Sequence, residues 1–169
     1  MIQKDYVVQM ARYNAWQNNQ LRDVLKHLDQ AELELDRGAF FGSIFGTLNH
    51  ILWGDTIWMS RLCSDVAPPK LSGDQSTDCT PTYGVWDAER FRLDGRILIW
   101  AQTLSNMDLQ GEESWFSGAT NQHLTRPRSV CIAHMFNHQT HHRGQISQML
   151  KVIGVTTPVS DLIFMPEDA

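Results

Sequence analysis

The chain has 169 residues, 42% of them hydrophobic and 20% charged, with a net charge of −5. That length suits one domain, spanning 1–169, whose core stands without disulfides, and no apolar run approaches the ~20 residues that span a bilayer. Fourteen lysines and arginines, nowhere in a run, against nineteen acids exclude the clustered positive charge that nucleic-acid binding needs.

The first residues, MIQKDYVVQMARYN, alternate polar and apolar and carry no secretory signal, so the cytoplasm is the expected location. Residues 4–29 set Val7, Met10, Asn14, Gln17, Leu21, Val24 and Leu28 at three- and four-residue steps, the stripe of an amphipathic helix with two polar members. A turn over 35–42 leads to a second helix over 43–64, apolar almost all round. Its one polar strip is Asn49, Thr56 and Ser60, opposite Leu48, Ile51, Trp58 and Leu62, which predicts burial on more than one side.

Residues 65–84, dense in Pro, Gly, Ser, Thr and Asp, predict a loop too polar for the core. The third helix, 86–107, repeats Trp86, Leu93, Trp100 and Met107 every seven residues, with Ile97 and Leu104 between them, as a bundle seam does. Residues 108–127 predict a short hairpin or irregular crossover that turns at Gly118 and Asn121. Pro127 suits the start of a fourth helix, which Gly154 ends after Ile153, and a short tail then packs back. The expected fold is all-α: a four-helix bundle with a long loop between helices two and three and a hairpin-like segment before helix four.

The cysteines Cys63, Cys79 and Cys131 are odd in number and form no C-x-x-C pair, which fits reduced structural thiols. Histidine is distributed differently. Four of the seven fall in HMFNHQTHHRGQ, residues 134–145. A heptad phase set by Met135 and Met149 turns Cys131, His138, His142, Gln145 and Val152 inward and leaves His134 and His141 on the shoulder. Histidines four residues apart stand about 6 Å apart on one face, close enough to share a cation at ~2.1 Å bonds. His134 lies ~12 Å along the axis from His142, too far to join them, and Cys131 is farther still.

A third protein ligand therefore comes from another element, with His27, His50 and His123 as candidates. His27 sits beside Lys26 at a polar helix end and His123 in the irregular segment. His50 alone is mid-helix in apolar surroundings, near Gly46, Trp53, Gly54 and Ile57. No H-E-x-x-H glutamate accompanies the pair, which argues against a zincin-type protease. Asp55, a charge on an apolar helix, needs a partner such as Arg61 or Asn14. Gln145 continues the histidine seam toward any ligand, and Arg143 suits a subunit contact or an anionic substrate.

Three segments, YNAWQNNQL at 13–21, LNHILWGDTIWMSR at 48–61 and HMFNHQTHHRGQISQML at 134–150, resemble the marks of DinB-like proteins, in the same order and across nearly the whole chain. The resemblance implies a four-helix bundle, a metal triad of His50, His138 and His142, and a homodimer. It also implies a kinship with thiol-dependent transferases and isomerases that use small bacterial thiols.

Three neutral imidazoles leave a divalent ion its full charge and an open position, as catalytic zinc sites do. Such an ion generates a nucleophile from water or a thiol near neutral pH. The expected function is a metal-dependent enzyme, thiol S-transferase-like or hydrolase-like, acting on a small molecule. Two alternatives stand beside it: a non-catalytic metal-binding or ligand-sensing dimer, and a structural bundle that binds metal adventitiously. Zinc or nickel is the expected ion, with manganese, iron or copper as further candidates.

Overall fold

A computed structural model describes residues 2–168. Four long helices, α1 (Lys4–Leu25), α3 (Ile44–Leu62), α4 (Tyr83–Thr103) and α5 (Arg128–Val152), form the bundle, and a short α2 (Gln30–Glu34) lies between the first two. A hairpin of β1 (Glu112–Ser117) and β2 (Gln122–Pro127) precedes α5 and pairs antiparallel from Glu112–Pro127 to Ser117–Gln122. α1 packs along α4 and α3 along α5, around Trp86, Phe136, Ile132, Met135, Ile97 and Met59. Among the described residues no helix is long and apolar enough to cross a membrane.

Local chemistry sets the boundaries. Ser43 caps α3 by accepting from the Gly46 N–H, and Thr82 caps α4 through Val85. α4 stops at Thr103 rather than 107 because Ser105 donates its N–H and hydroxyl to Asp108, an alternative to helical bonding. Met107, expected on the seam, is therefore 78% exposed, and Leu109 returns to the core in its place.

At the end of α5, Val155 N–H reaches Leu150 O and Gly154 N–H reaches Lys151 O, with Gly154 at φ 76°. This is a Schellman closure, and it brings Val155 against the core. Val152, expected inward, is 72% exposed beside it. Asn121 supplies the left-handed residue of the hairpin turn at φ 51°, whereas Gly118 is not among the positive-φ residues.

Two polar readings are corrected by burial. Asn49, expected on an outer strip, is wholly buried: its amide donates to Thr77 O and Thr80 O and accepts from the Thr80 N–H and hydroxyl. With Trp53 donating to Leu71 O and His50 bonded to Ser76, that side chain draws the 63–82 segment onto α3, so part of a stretch expected to be too polar for the core, Ser76 and Thr80, is buried. The segment includes a 3-10 turn over Gly73–Asp78. The tail packs back as expected, with Gln17 donating to Val159 O and the Tyr13 hydroxyl to Ser160 O.

The centre of the bundle holds charge. Arg90, on α4, is 0% exposed and ion-pairs with Asp55 at 2.5 Å and Asp94 at 2.7 Å. Asn18 and Asn14 donate to Asp94, Gln139 donates to Asp55, and Arg143 donates to Asn14. This explains why the α1 stripe centres on Val7, Ala11, Asn14, Asn18, Leu21 and Leu25: its asparagines are needed inside, and Met10 and Val24 move to the border.

Candidate metal centre

His50 projects from α3, His138 and His142 from α5, and their ring nitrogens converge. His138 Nε2 lies 3.0 Å from His50 Nε2 and 3.2 Å from His142 Nε2, and one nitrogen from each ring falls within 4.8 Å of the others. A tetrahedral ion with ~2.05 Å bonds holds nitrogen ligands roughly 3.3 Å apart, so the two distances from His138 Nε2 are those of nitrogens that share one cation.

Proton bookkeeping points the same way. Gln145 Oε1, 2.7 Å from His142 Nδ1, can only accept, so that nitrogen carries the proton and His142 Nε2 offers a bare lone pair. His50 Nδ1 is bonded to Ser76 Oγ at 2.9 Å. His138 Nδ1 is buried without a hydrogen-bond partner among the described residues, so no neighbour fixes that ring's tautomer. Without an ion, at most one proton on each ring can serve these close nitrogen–nitrogen contacts, whereas a cation accepts a lone pair from all three rings at once.

The rings are clamped by packing. Phe41 stacks on His50 with centroids 3.8 Å apart, and its edge meets His142 at 5.3 Å. Gly54 makes room for His138: a Cβ there would stand 2.8 Å from the ring Cε1. Gly54→Ala is therefore expected to lower metal affinity by ~10-fold or more by displacing the ring, the scale of a lost supporting contact. Stability should fall by no more than about 2 kcal/mol, because the ~1 kcal/mol by which alanine favours a helix over glycine offsets part of the ~1–3 kcal/mol cost of crowding a packed ring. Zinc titration beside a thermal melt checks both halves.

Burial lowers His138 to about 3, with repulsion from His142 and His50 adding to it, and lowers His50 to about 4, with His142 adding. In the chelated protein both rings stay neutral when folded but protonate near 6.5 when unfolded. Their contribution is complete above 6.5 and is lost as the pH falls toward 4 and 3. Asp94, pushed up to about 6 by burial against the pull of Arg90, acts in the opposite sense. Chelated wild type should thus lose more stability between pH 7 and 5 than chelated His138→Gln, a comparison from which Asp94 cancels; urea midpoints measure it.

The other expected residues divide. Gln145 touches the triad, whereas Asn14, Asp55 and Arg143 belong to the buried ionic network. Asp55 pairs with Arg90 and Gln139, not with Arg61 or Asn14. Arg143 is 5% exposed, lies over Tyr13 and is pushed down to about 10 by burial, so it faces neither a subunit partner nor an anion in solvent. His134 packs on Trp58 and against His138, and His141 stands beside Gln145. His27 and His123 are exposed and outside the cluster.

Beside His50 opens a cavity of about 810 Å³, walled by Trp53, Ile57, Trp58 and Arg61 of α3, Leu71–Asp74 of the loop, and Trp115 to Ala119 with Leu124 of the hairpin. A second cavity of about 730 Å³ between the loop and α4 touches none of the three histidines.

The sequence profile of the DinB family matches residues 1–169. The chain belongs to the DinB family. Protein DinB of Bacillus subtilis (strain 168) is 24% identical over 164 residues, covering 93% of this chain and 91% of that one. A solved DinB-like protein from Bacillus cereus superposes with a TM-score of 0.61 at 19% identity, over 87% of this chain and 90% of its own. YfiT from Bacillus subtilis, described as a probable metal-dependent hydrolase with an unusual four-helix bundle topology, gives a TM-score of 0.59 at 15% identity, over 90% and 89%. Likeness at that distance carries the fold.

On this DinB-family framework the three marked segments fall on α1, α3 and α5, and the two histidine-bearing ones face each other. Three participants escaped the sequence: Ser76, Phe41 and the steric role of Gly54. A polar loop and a turn carry the first two, and neither has a periodicity that would aim it at α3. Glycine at position 54, four residues after His50, was the one available signal, since a mid-helix glycine costs stability unless something packs against it.

Proposed function

We propose that the protein is a metal-dependent enzyme acting on a small molecule, with His50, His138 and His142 holding a divalent ion at the edge of the α3–hairpin cavity. The observation that carries this reading is the convergence of three imidazole nitrogens, one known by its partner to be unprotonated, next to a space of ligand size. Bound there, a divalent ion supplies the acidity that makes water or a thiol nucleophilic near neutral pH.

The chain's own residues do the rest. Gln145 holds His142 in its Nδ1–H form and Ser76 anchors His50, the outer contacts that orient metal-binding histidines. Phe41 covers one face of His50 and abuts His142 edge to face, and Trp53 stands 6.4 Å from His50 at the cavity wall, restricting water. Either hydrolysis or thiol S-transfer suits such a site. The description of YfiT supports the first, and the three sequence marks support the second.

Zinc or nickel is the ion we assign, and a single cytoplasmic domain the setting. We read the protein as a homodimer: Phe40, 83% exposed, and Val152 border one open cavity and leave apolar surface for a second copy. Light scattering tests that state. The function is tested by elemental analysis of tag-free protein, followed by turnover assays with small thiols, electrophilic acceptors and esters. About one divalent ion per chain with metal-dependent turnover is expected; neither retained metal nor turnover with any of these would overturn the reading.

A further inference from the structure

Arg61 stands out in the cavity wall. Its guanidinium carbon lies 4.6 Å from the Trp58 ring centroid and 5.1 Å from that of Trp115, and these two rings meet edge to face at 5.2 Å. Among the described residues it makes no ion pair and no hydrogen bond, although arginine carries five N–H donors in one plane. Burial pushes its pKa down, and no carboxylate is among the groups that raise it. Nearby acids are engaged elsewhere: Glu113 accepts from Arg128, and Asp74, the one acid lining the cavity among the described residues, accepts from the Ser72 hydroxyl at 2.5 Å. Among the described residues, Arg61 is also the one lysine or arginine that lines it.

We propose that Arg61 makes this cavity selective for a small organic acid, whose carboxylate meets the guanidinium edge while a flat or apolar body lies against Trp58, Trp115 and Ile57. The guanidinium carbon lies over both indole rings, and its N–H donors, bonded to none of the described residues, are left for a planar acceptor such as a carboxylate, which arginine binds two bonds at a time. His50 lines the same space, so a molecule held by its acid end at Arg61 extends toward the triad. The proposal deepens the enzymatic reading and rests on this cavity being its substrate pocket.

The experiment uses full-length protein with metal removed by chelation and follows tryptophan fluorescence and calorimetry. Three probes are compared: 3-phenylpropionate, its uncharged amide, and 2-phenylethylphosphonate. The carboxylate is expected to bind ~10-fold or more tightly than the amide, the worth of a charge-assisted hydrogen bond. Arg61→Gln should bring the two level, and Arg61→Lys should keep part of the preference. Equal binding of acid and amide by wild type, no binding of the acid, or an unchanged preference in Arg61→Gln overturns the proposal. Tighter binding of the phosphonate overturns the carboxylate assignment in favour of a phosphoryl group. Should Arg61→Gln fail to fold, Arg61→Lys decides, and a preference undiminished in it overturns the proposal. Zinc titration is run separately: wild type that takes no zinc defeats the metal reading, while the chelated sample still decides the role of Arg61.

Discussion

Arg90→Leu is expected to destabilise the protein by about 3–5 kcal/mol, the cost of breaking a buried ion pair from one side. Arg90 is wholly buried and is the common partner of Asp55 and Asp94, so its loss strands two carboxylates rather than one. Both must then take up protons or draw in water, and Asp94 already titrates near 6 with Arg90 in place. The triple substitution Asp55→Leu, Arg90→Leu, Asp94→Leu removes those three charges but leaves the buried Arg143 without nearby carboxylates and Asn18 and Gln139 without their acceptors, so it should recover only part of the loss. Urea unfolding at pH 7 measures both. A loss below about 1 kcal/mol in the single variant, the size of an ordinary surface pair, would mean that water reaches the network.

His138→Ala should abolish tight metal binding while leaving the bundle folded. His138 Nε2 is the nitrogen nearest both others, so its removal leaves two imidazoles on separate helices with nothing between them. The fall in affinity should exceed the ~10–100-fold typical of losing an outer contact. Wild type at a hundredfold excess over its Kd gains about 2.7 kcal/mol on binding metal, visible as a rise in Tm that the variant lacks. Helical content should be unchanged, because the core around Trp86, Phe136 and Ile132 is formed without the triad. A chelated wild type that unfolds at room temperature would instead make the ion a structural one, as in domains whose metal supplies the folding energy.

Much of this architecture could be read from periodicity, and its failures share a cause. The seam phase set by Met135 and Met149 aimed His138 and His142 correctly, because the heptad holds wherever a neighbouring helix runs alongside. It misplaced Met107 and Val152, which lie where the chain leaves its neighbour and local capping takes over. Polarity misled in a second way. Asn49, Ser76 and Thr80 read as surface residues by type, yet Asn49 and Thr80 satisfy each other inside and Ser76 bonds His50, and hydrogen bonding between distant segments leaves no trace in a hydropathy pattern. Asp55 was rightly marked as needing a partner. The partner was Arg90, which the sequence did not single out because it is one of three arginines on α4, with Arg92 and Arg96, and by type resembles its solvated neighbours.

The hairpin has a consequence for how such a molecule changes over time. Most of its residues are exposed, and it meets the bundle mainly through Trp115 on Trp58 and the Glu113–Arg128 pair, yet it supplies one whole side of the space beside His50. Substitutions, insertions or deletions between β1 and β2 can therefore reshape what is admitted without disturbing the histidines or the charged interior. Chemistry and selectivity are carried by parts that can diversify at different rates.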